Sequence, residues 1–188
     1  MPRGARCLAQ NVFYHIISRG NQKQKTFFDK RDYRYFLALI KKYKREYEIA
    51  LYGFCLMPNH VHLVLQPSFP ENLSLFMKSL NQGYAQYFNF KYNKSGHLWQ
   101  GRFKSMIIEN ENYLFDCIKY VEFNPVRAQL AKTVHDYQWS SCPKRISGIS
   151  DDMLDPVENI FRYKMRDRPN VKRGHTTRKT GTVPTYGG

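Results

Sequence analysis

Two short stretches hold the side chains best suited to chemistry. His60-Val61-His62 opens a run, His60 to Gln66, whose β-branched and alternating composition predicts a strand. Side chains two apart on a strand share a face, so the two imidazoles sit about 6.6 Å apart at Cα and point the same way. Val61, Leu63 and Leu65 take the opposite face and would pack on a core. Such a strand offers two metal-capable nitrogens, although an isolated His-x-His also suits a plain solvent-facing strand. Tyr120 and Asn124 stand four residues apart near the end of a predicted helix, one turn apart on one side. A phenol, with its usual pKa of about 10, is a poor nucleophile. A cation that polarises a phosphate oxygen would make phosphorus easier to attack. Two imidazoles and the Asn124 carboxamide oxygen would hold such a cation and leave positions open for phosphate. Against this stands the number of tyrosines, fourteen, most of which must serve as ordinary packing or surface aromatics.

The elements that would position these groups can be read from period and punctuation. Val12 to Ser18 is β-branched and aromatic and stops at Arg19-Gly20-Asn21, a strand and turn. Asp29, with Asp32 three residues on, has the form of a capping box. It opens a helix in which Tyr33, Phe36, Leu37, Ile40, Tyr43 and Tyr47 recur at helical steps. Ile49 to Leu56 is a second strand, joined to the His60 strand through Met57-Pro58-Asn59 as a hairpin. Asn72 is the expected cap of a second long helix, and Arg102 to Ile108 the expected fourth strand. A third helix is expected from Asn110 to Phe123, ending there because Pro125 disfavours helical geometry at Asn124. The order predicts an α+β, ferredoxin-like split βαβ fold: an antiparallel sheet with helices on one face, its other face open, plus a third helix carrying Tyr120. Domain boundaries are expected at 1–149 for this unit and 150–188 for a basic, flexible tail.

Composition narrows the partners. Thirty Lys and Arg against fifteen Asp and Glu leave a net charge of +15, more than solubility requires, which favours a polyanion such as nucleic acid. No apolar run approaches the roughly 20 residues that span a bilayer, and no apolar segment of a signal peptide follows Met1 to Arg6, so a cytoplasmic protein without a membrane partner is expected. Cys7, Cys55, Cys117 and Cys142 are scattered with no CxxC pair, and Cys55 and Cys117 read as small core residues in a reducing setting.

Three segments together carry a resemblance: Met57-Pro58-Asn59-His60-Val61-His62, then His97-Leu98-Trp99-Gln100-Gly101-Arg102-Phe103-Lys104, then Tyr120-Val121-Glu122-Phe123-Asn124-Pro125-Val126-Arg127-Ala128. In kind and order they resemble the REP-associated tyrosine transposases, relatives of the small insertion-sequence transposases in the HUH superfamily. The resemblance runs from about Arg3 to Trp139. It implies that His60 and His62 are metal ligands, Tyr120 the nucleophile, and Asn124, where many such transposases carry Gln, the third ligand. It also implies transesterification of single-stranded DNA, with a 5′-phosphotyrosine and a free 3′-OH, followed by rejoining without ATP. The expected ion is Mg²⁺ or Mn²⁺, and imidazoles favour Mn²⁺. The expected substrates are hairpins of imperfect palindromic repeats with a short flanking tetranucleotide, bound by a monomer or homodimer.

Candidate DNA contacts are Arg19 and Asn21 after the first strand, Arg102 and Lys104 on the fourth, and Arg127 past the third helix. Arg127 would contact phosphate or neutralise helix-end carbonyls. Trp99 is either a stacking platform for an unpaired base or a core residue. His97 is either a further site residue or part of a loop-to-strand connection. Three rivals use some of the same residues: a non-catalytic module acting on RNA or as a repressor, a structural zinc protein, and a metal-dependent hydrolase using water. The zinc reading needs ligands that converge, of which the Cys spacings give no sign, and the hydrolase leaves the Tyr120–Asn124 spacing unexplained.

Residues 162–188 hold eight Lys and Arg and one acid. Each single-strand phosphate they neutralise should add about −0.7 to the slope of log affinity against log salt. Removing 162–188 should therefore flatten that slope, measured by anisotropy of a labelled single strand, while leaving cleavage intact.

Overall fold

The strand and helix order expected from the sequence is the one found in the computed structural model, which describes residues 9, 11–147 and 152–157. In chain order the elements are β1 (Phe13–Arg19), α1 (Lys30–Glu46), β2 (Ile49–Met57), β3 (His60–Pro67), α2 (Pro70–Tyr92), β4 (Lys104–Ile108), α3 (Glu111–Arg127) and α4 (Ser141–Ile146). The strands form one antiparallel sheet in the order β2-β3-β1-β4, the split βαβ arrangement. One sheet face carries Tyr14, Ile16, Phe54, Leu56, Val61, Leu63 and Leu65, all buried against α1 and α2 through Phe36, Ile40, Phe76, Leu80 and Tyr84.

The opposite face is not open as the sequence reading has it. Along β2 and β3 it presents Gly53, Cys55 and Val64, an apolar strip that needs cover, and α3 supplies it with buried Leu114, Ile118, Val121 and Pro125. The approach is close at Gly53, where an added Cβ would already touch the Ile118 side chain at 3.5 Å. Buried Glu122 ties α3 to α4: Ser141 Oγ donates to its Oε1 at 2.6 Å, and Arg145 at 3.2 and 3.3 Å. Cys55 and Cys142 are buried and Cys117 half-buried, all as free thiols.

Three element boundaries differ from the sequence reading by more than one residue. α2 begins at Pro70, with Phe69 rather than Asn72 in the capping position, because the fixed φ of proline suits the first helical residue. β4 begins at Lys104, so Arg102 lies in the preceding loop after Gly101, whose φ is +74°. α3 runs through Pro125 to Arg127. Proline there removes the donor that Val121 O would otherwise receive. The Asn124 side-chain amide replaces it, with Nδ2 donating to Val121 O at 3.3 Å and to Tyr120 O at 3.0 Å.

The capping box is present as expected: the Asp29 side chain accepts from the backbone N–H groups of Arg31 and Asp32, and Asp32 reaches back to Asp29 N. Asp32 is fully buried and also accepts from Phe28 N, Tyr87, Tyr92 and Lys91, the last from α2 at 2.5 Å. Past α4, Asp155 pairs with the backbone of Leu51, and Lys44 Nζ donates to Met153 O at 3.1 Å and Asp155 Oδ2 at 2.5 Å. The compact unit thus runs to Asp155, beyond the expected boundary at 149. The basic tail lies outside the described residues. Among those described, no helix is long and apolar enough to cross a membrane.

Burial alone would push the Asp32 carboxyl up, but Lys91, the Phe28 and Asp29 amides and Tyr92 outweigh it and hold it below its ordinary value. The Lys91 bond likewise brings Asp29 from 3.8 to about 2. Groups with depressed folded pKa values add stability that is complete above the unfolded value and lost as pH falls through the folded one. Unfolding in urea should therefore show this contribution fading between pH about 4 and about 2. Replacing Lys91 with Met leaves the buried carboxylate of Asp32 without its cation and should cost about 3 kcal/mol at neutral pH.

Candidate active site

The register of β3 against its neighbours fixes where the imidazoles stand. His62 is opposite Ile17 of β1 and Cys55 of β2, and His60 is opposite Arg19 and Met57. The turn before His60 is held from outside. Pro58 O accepts from Thr26 N at 2.8 Å, and Asn59 O accepts from Gly20 N at 2.8 Å. Gly20 has to be glycine for this, since a Cβ there would lie 2.4 Å from Gln24 O and 2.8 Å from Thr26 Cγ2. The Asn59 side chain then bridges outward and inward: its Nδ2 donates to Lys23 O at 3.2 Å, and its Oδ1 meets His60 Nδ1 at 2.6 Å.

α3 brings Tyr120 over the same face. Asn110 caps it as expected, its side-chain oxygen accepting from Tyr113 N at 3.1 Å. The Tyr120 ring lies 6.3 Å from His62 and 6.0 Å from His15, edge to face with both. Its phenol is 43% exposed, open to a polymer approaching from solvent. The Arg127 guanidinium stands 4.7 Å from the Tyr120 ring centre. Because Asn124 Nδ2 is committed to helix carbonyls, Oδ1 is the atom it has left for other work.

These groups line one cavity of about 540 Å³: Ile17, Arg19, His60, His62, Gln100, Arg102, Lys104, Tyr120 and Asn124. No acid lines it. Burial, and then the nearby Arg19 charge, lower the His60 pKa. Burial, then His15 and His60, push His62 down to about 3, and burial brings His15 to about 4. The imidazoles are therefore neutral at physiological pH, the form in which a ring nitrogen can hold a metal. Among the described residues no group of three His, Cys, Asp or Glu side chains is arranged to hold a metal, so a cation here would draw on two imidazoles and an amide oxygen. That donor set fits a divalent ion that keeps positions for phosphate oxygens.

A second cavity of about 590 Å³ adjoins the first through Arg102, which lines both. It holds Asn21, Trp99 and His97 beside Lys78 and Gln82 of α2. Trp99 is a wall here, not a free platform. Its ring packs against Phe36 and Tyr84, and its Nε1–H goes to Asn81 O at 2.9 Å. The sequence candidates therefore fall into three places. Arg19, Arg102 and Lys104 join the His60–His62–Tyr120–Asn124 cavity, Asn21 and Trp99 the second, and Arg127 lies against the Tyr120 ring. Sequence reasoning missed His15, Gln100 and the Asn59 side chain. The available signal for His15 was its position in a strand, two residues before Ile17, on the face that the β1–β3 register gives to His62.

Comparison with known proteins bears on the family and the fold. Residues 9–124 match the family of IS200-like transposases. A protein of Haemophilus influenzae described as a REP-associated tyrosine transposase is 27% identical over 117 residues, which is 56% of this chain and 66%, just under two thirds, of that relative. A solved structure of a REP-associated tyrosine transposase bound to a REP hairpin superposes with a TM-score of 0.65 at 17% identity, covering 95% of this chain and all of the other. That likeness establishes a shared fold. With more than half of its length matched, the chain belongs to the IS200-like transposase family.

Proposed function

We infer that this transposase cuts and rejoins single-stranded DNA through a covalent bond to Tyr120. The observation that carries the reading is the single cavity in which Tyr120 faces His60, His62 and Asn124 with three cations and no acid. The substrate phosphate would be drawn in by Arg19, Arg102 and Lys104, whose charges neutralise it. His60 and His62, through ring nitrogens, and Asn124, through Oδ1, would hold Mg²⁺ or Mn²⁺. When bound, that ion polarises a non-bridging phosphate oxygen and makes phosphorus more electrophilic.

Tyr120 Oη attacks phosphorus in line with the 3′-oxygen. The Oη–P bond forms, the P–O3′ bond breaks, the phenolic proton leaves to solvent, and the 3′-oxygen takes up a proton to become a free hydroxyl. A 5′-phosphotyrosine results. A second 3′-OH attacking the same phosphorus reverses these changes and restores the tyrosine, so the strand is rejoined with no external energy source. Arg127, stacked on the Tyr120 ring, limits where the phenol can swing.

The preferred substrate is a DNA hairpin with an unpaired flank. The solved relative bound to a REP hairpin supports this, as does the cavity shared at Arg102, which suits an unpaired nucleotide next to the reacting phosphate. Tyr120 lies over histidines of its own chain, so the reading requires no second copy.

The test is the Tyr120→Phe variant, which removes one oxygen and little packing. With labelled single-stranded hairpins and Mn²⁺, wild type should give a protein–DNA adduct that survives denaturation. The variant should bind the hairpin as tightly yet lose adduct and cleavage together. Cleavage by Tyr120→Phe at the wild-type rate would instead mean that water or another tyrosine attacks, a plain metal-dependent nuclease.

A further inference from the structure

The chemistry above leaves His15 without a task, although it is one of the best-buried polar residues beside the site, 6% exposed. It lies on β1, and its Nε2 is 2.8 Å from His62 Nδ1, with the rings stacked 5.1 Å apart at 23°. Two neutral ring nitrogens at that distance share one proton, so one of them donates and the other accepts.

His60 shows which way round the site is built. Asn59 is oriented by the donation of its Nδ2 to Lys23 O, which turns its Oδ1, a pure acceptor, toward His60 Nδ1. His60 therefore carries its proton on Nδ1 and a lone pair on Nε2. His62 matches it only if its own Nδ1 carries the proton and donates to His15 Nε2. With the bond reversed, His62 would carry its proton on Nε2, and neither of its nitrogens would have a lone pair to offer the cavity.

We propose that His15 is a positioning residue that accepts the Nδ1 proton of His62 and so keeps the Nε2 lone pair of His62 available to a divalent cation. His15 is thus to His62 what Asn59 is to His60, an outer partner that fixes tautomer and ring angle. Outer partners of this kind raise metal affinity by about 10- to 100-fold. His15 is not itself a ligand, because its Nε2 is spent on the hydrogen bond. This inference rests on the cation-holding part of the proposed function, and its test separates the two.

The first measurement needs no metal. Long-range proton–nitrogen NMR of the wild-type chain at neutral pH should show the His62 ring protonated on Nδ1, and a ring protonated on Nε2 overturns the proposal. The second is Mn²⁺ titration of wild type, His15→Leu and His15→Gln, each checked for cooperative unfolding. His15→Leu should bind about 10- to 100-fold more weakly. His15→Gln, whose side-chain oxygen can accept the same proton, should recover most of the loss. His15→Leu binding Mn²⁺ as tightly as wild type overturns the proposal, and so does coordination by three imidazoles in the electron spin-echo spectrum of the Mn²⁺ form. If His62→Ala binds Mn²⁺ like wild type, the metal reading of the cavity is what fails, and the His62 tautomer still decides the role of His15.

Discussion

A strand sends successive side chains to opposite faces, and β3 has to satisfy a different demand on each. Val61, Leu63 and Leu65 must reach the helices, while His60 and His62 must reach the cavity. A slip of one residue would exchange the two sets, putting imidazoles in the apolar core and leucines in the cavity. Register is therefore the constraint on which the rest depends, and the turn before His60 secures it. Gly20 lets the β1 loop come close enough to hold Asn59 O, and Pro58 O is held by Thr26 and Phe27. With that turn fixed, Ile17 falls opposite His62 and Arg19 opposite His60, and β1 delivers a cation to the cavity without any separate device.

The second condition is that α3 lies flat on a face that is apolar at one end and polar at the other. Ile118 and Val121 press on the strip around Gly53, while Tyr120 stands over the imidazoles. Glu122 fixes the helix by its far side, where Ser141 and Arg145 hold the carboxylate. This cover makes the site electrically uneven. The imidazoles beneath are desolvated and neutral, whereas Arg19, Arg102 and Lys104 bring full charges to the cavity and Arg127 brings one to the Tyr120 ring. A phosphodiester would thus meet attraction at the rim and unprotonated donors at the bottom.

Much of this was legible in the sequence because it depends on periods of two and 3.6. The sharing of a face by His60 and His62, the one-turn spacing of Tyr120 and Asn124, and the Asp29–Asp32 capping box are local patterns. What escaped was decided by partners distant in sequence. His15 sits in an ordinary-looking strand and becomes part of the site only when β1 is set against β3. Trp99 gave no sign of which of its faces Phe36 and Tyr84 would take. Cover by α3 over the second sheet face could not be read from alternation in the strands alone. Pro125 misled for a different reason: the steric bias it places on Asn124 was overridden, and the Asn124 amide stands in for the missing N–H. The same substitution leaves the Asn124 oxygen as the group turned to other work, so the irregularity in the helix and the character of the site have one cause.

The segment Asp152–Asp155 lies far from any of this chemistry, yet it determines how the sheet ends. β2 is an outer strand, and such strands offer unpaired backbone groups to any other strand that passes. Here Asp155 occupies both backbone groups of Leu51, and Lys44 is anchored beneath by the same segment. A chain shortened to residue 149 would keep every side chain of the cavity and still lose this seam. Leu51 would then offer a free amide and carbonyl to the β2 edge of a second molecule, and Lys44 would be left as a poorly hydrated ammonium at the border. The residues that look most dispensable for catalysis are in this sense a cover for the β2 edge, and through buried Met153 they also belong to the core.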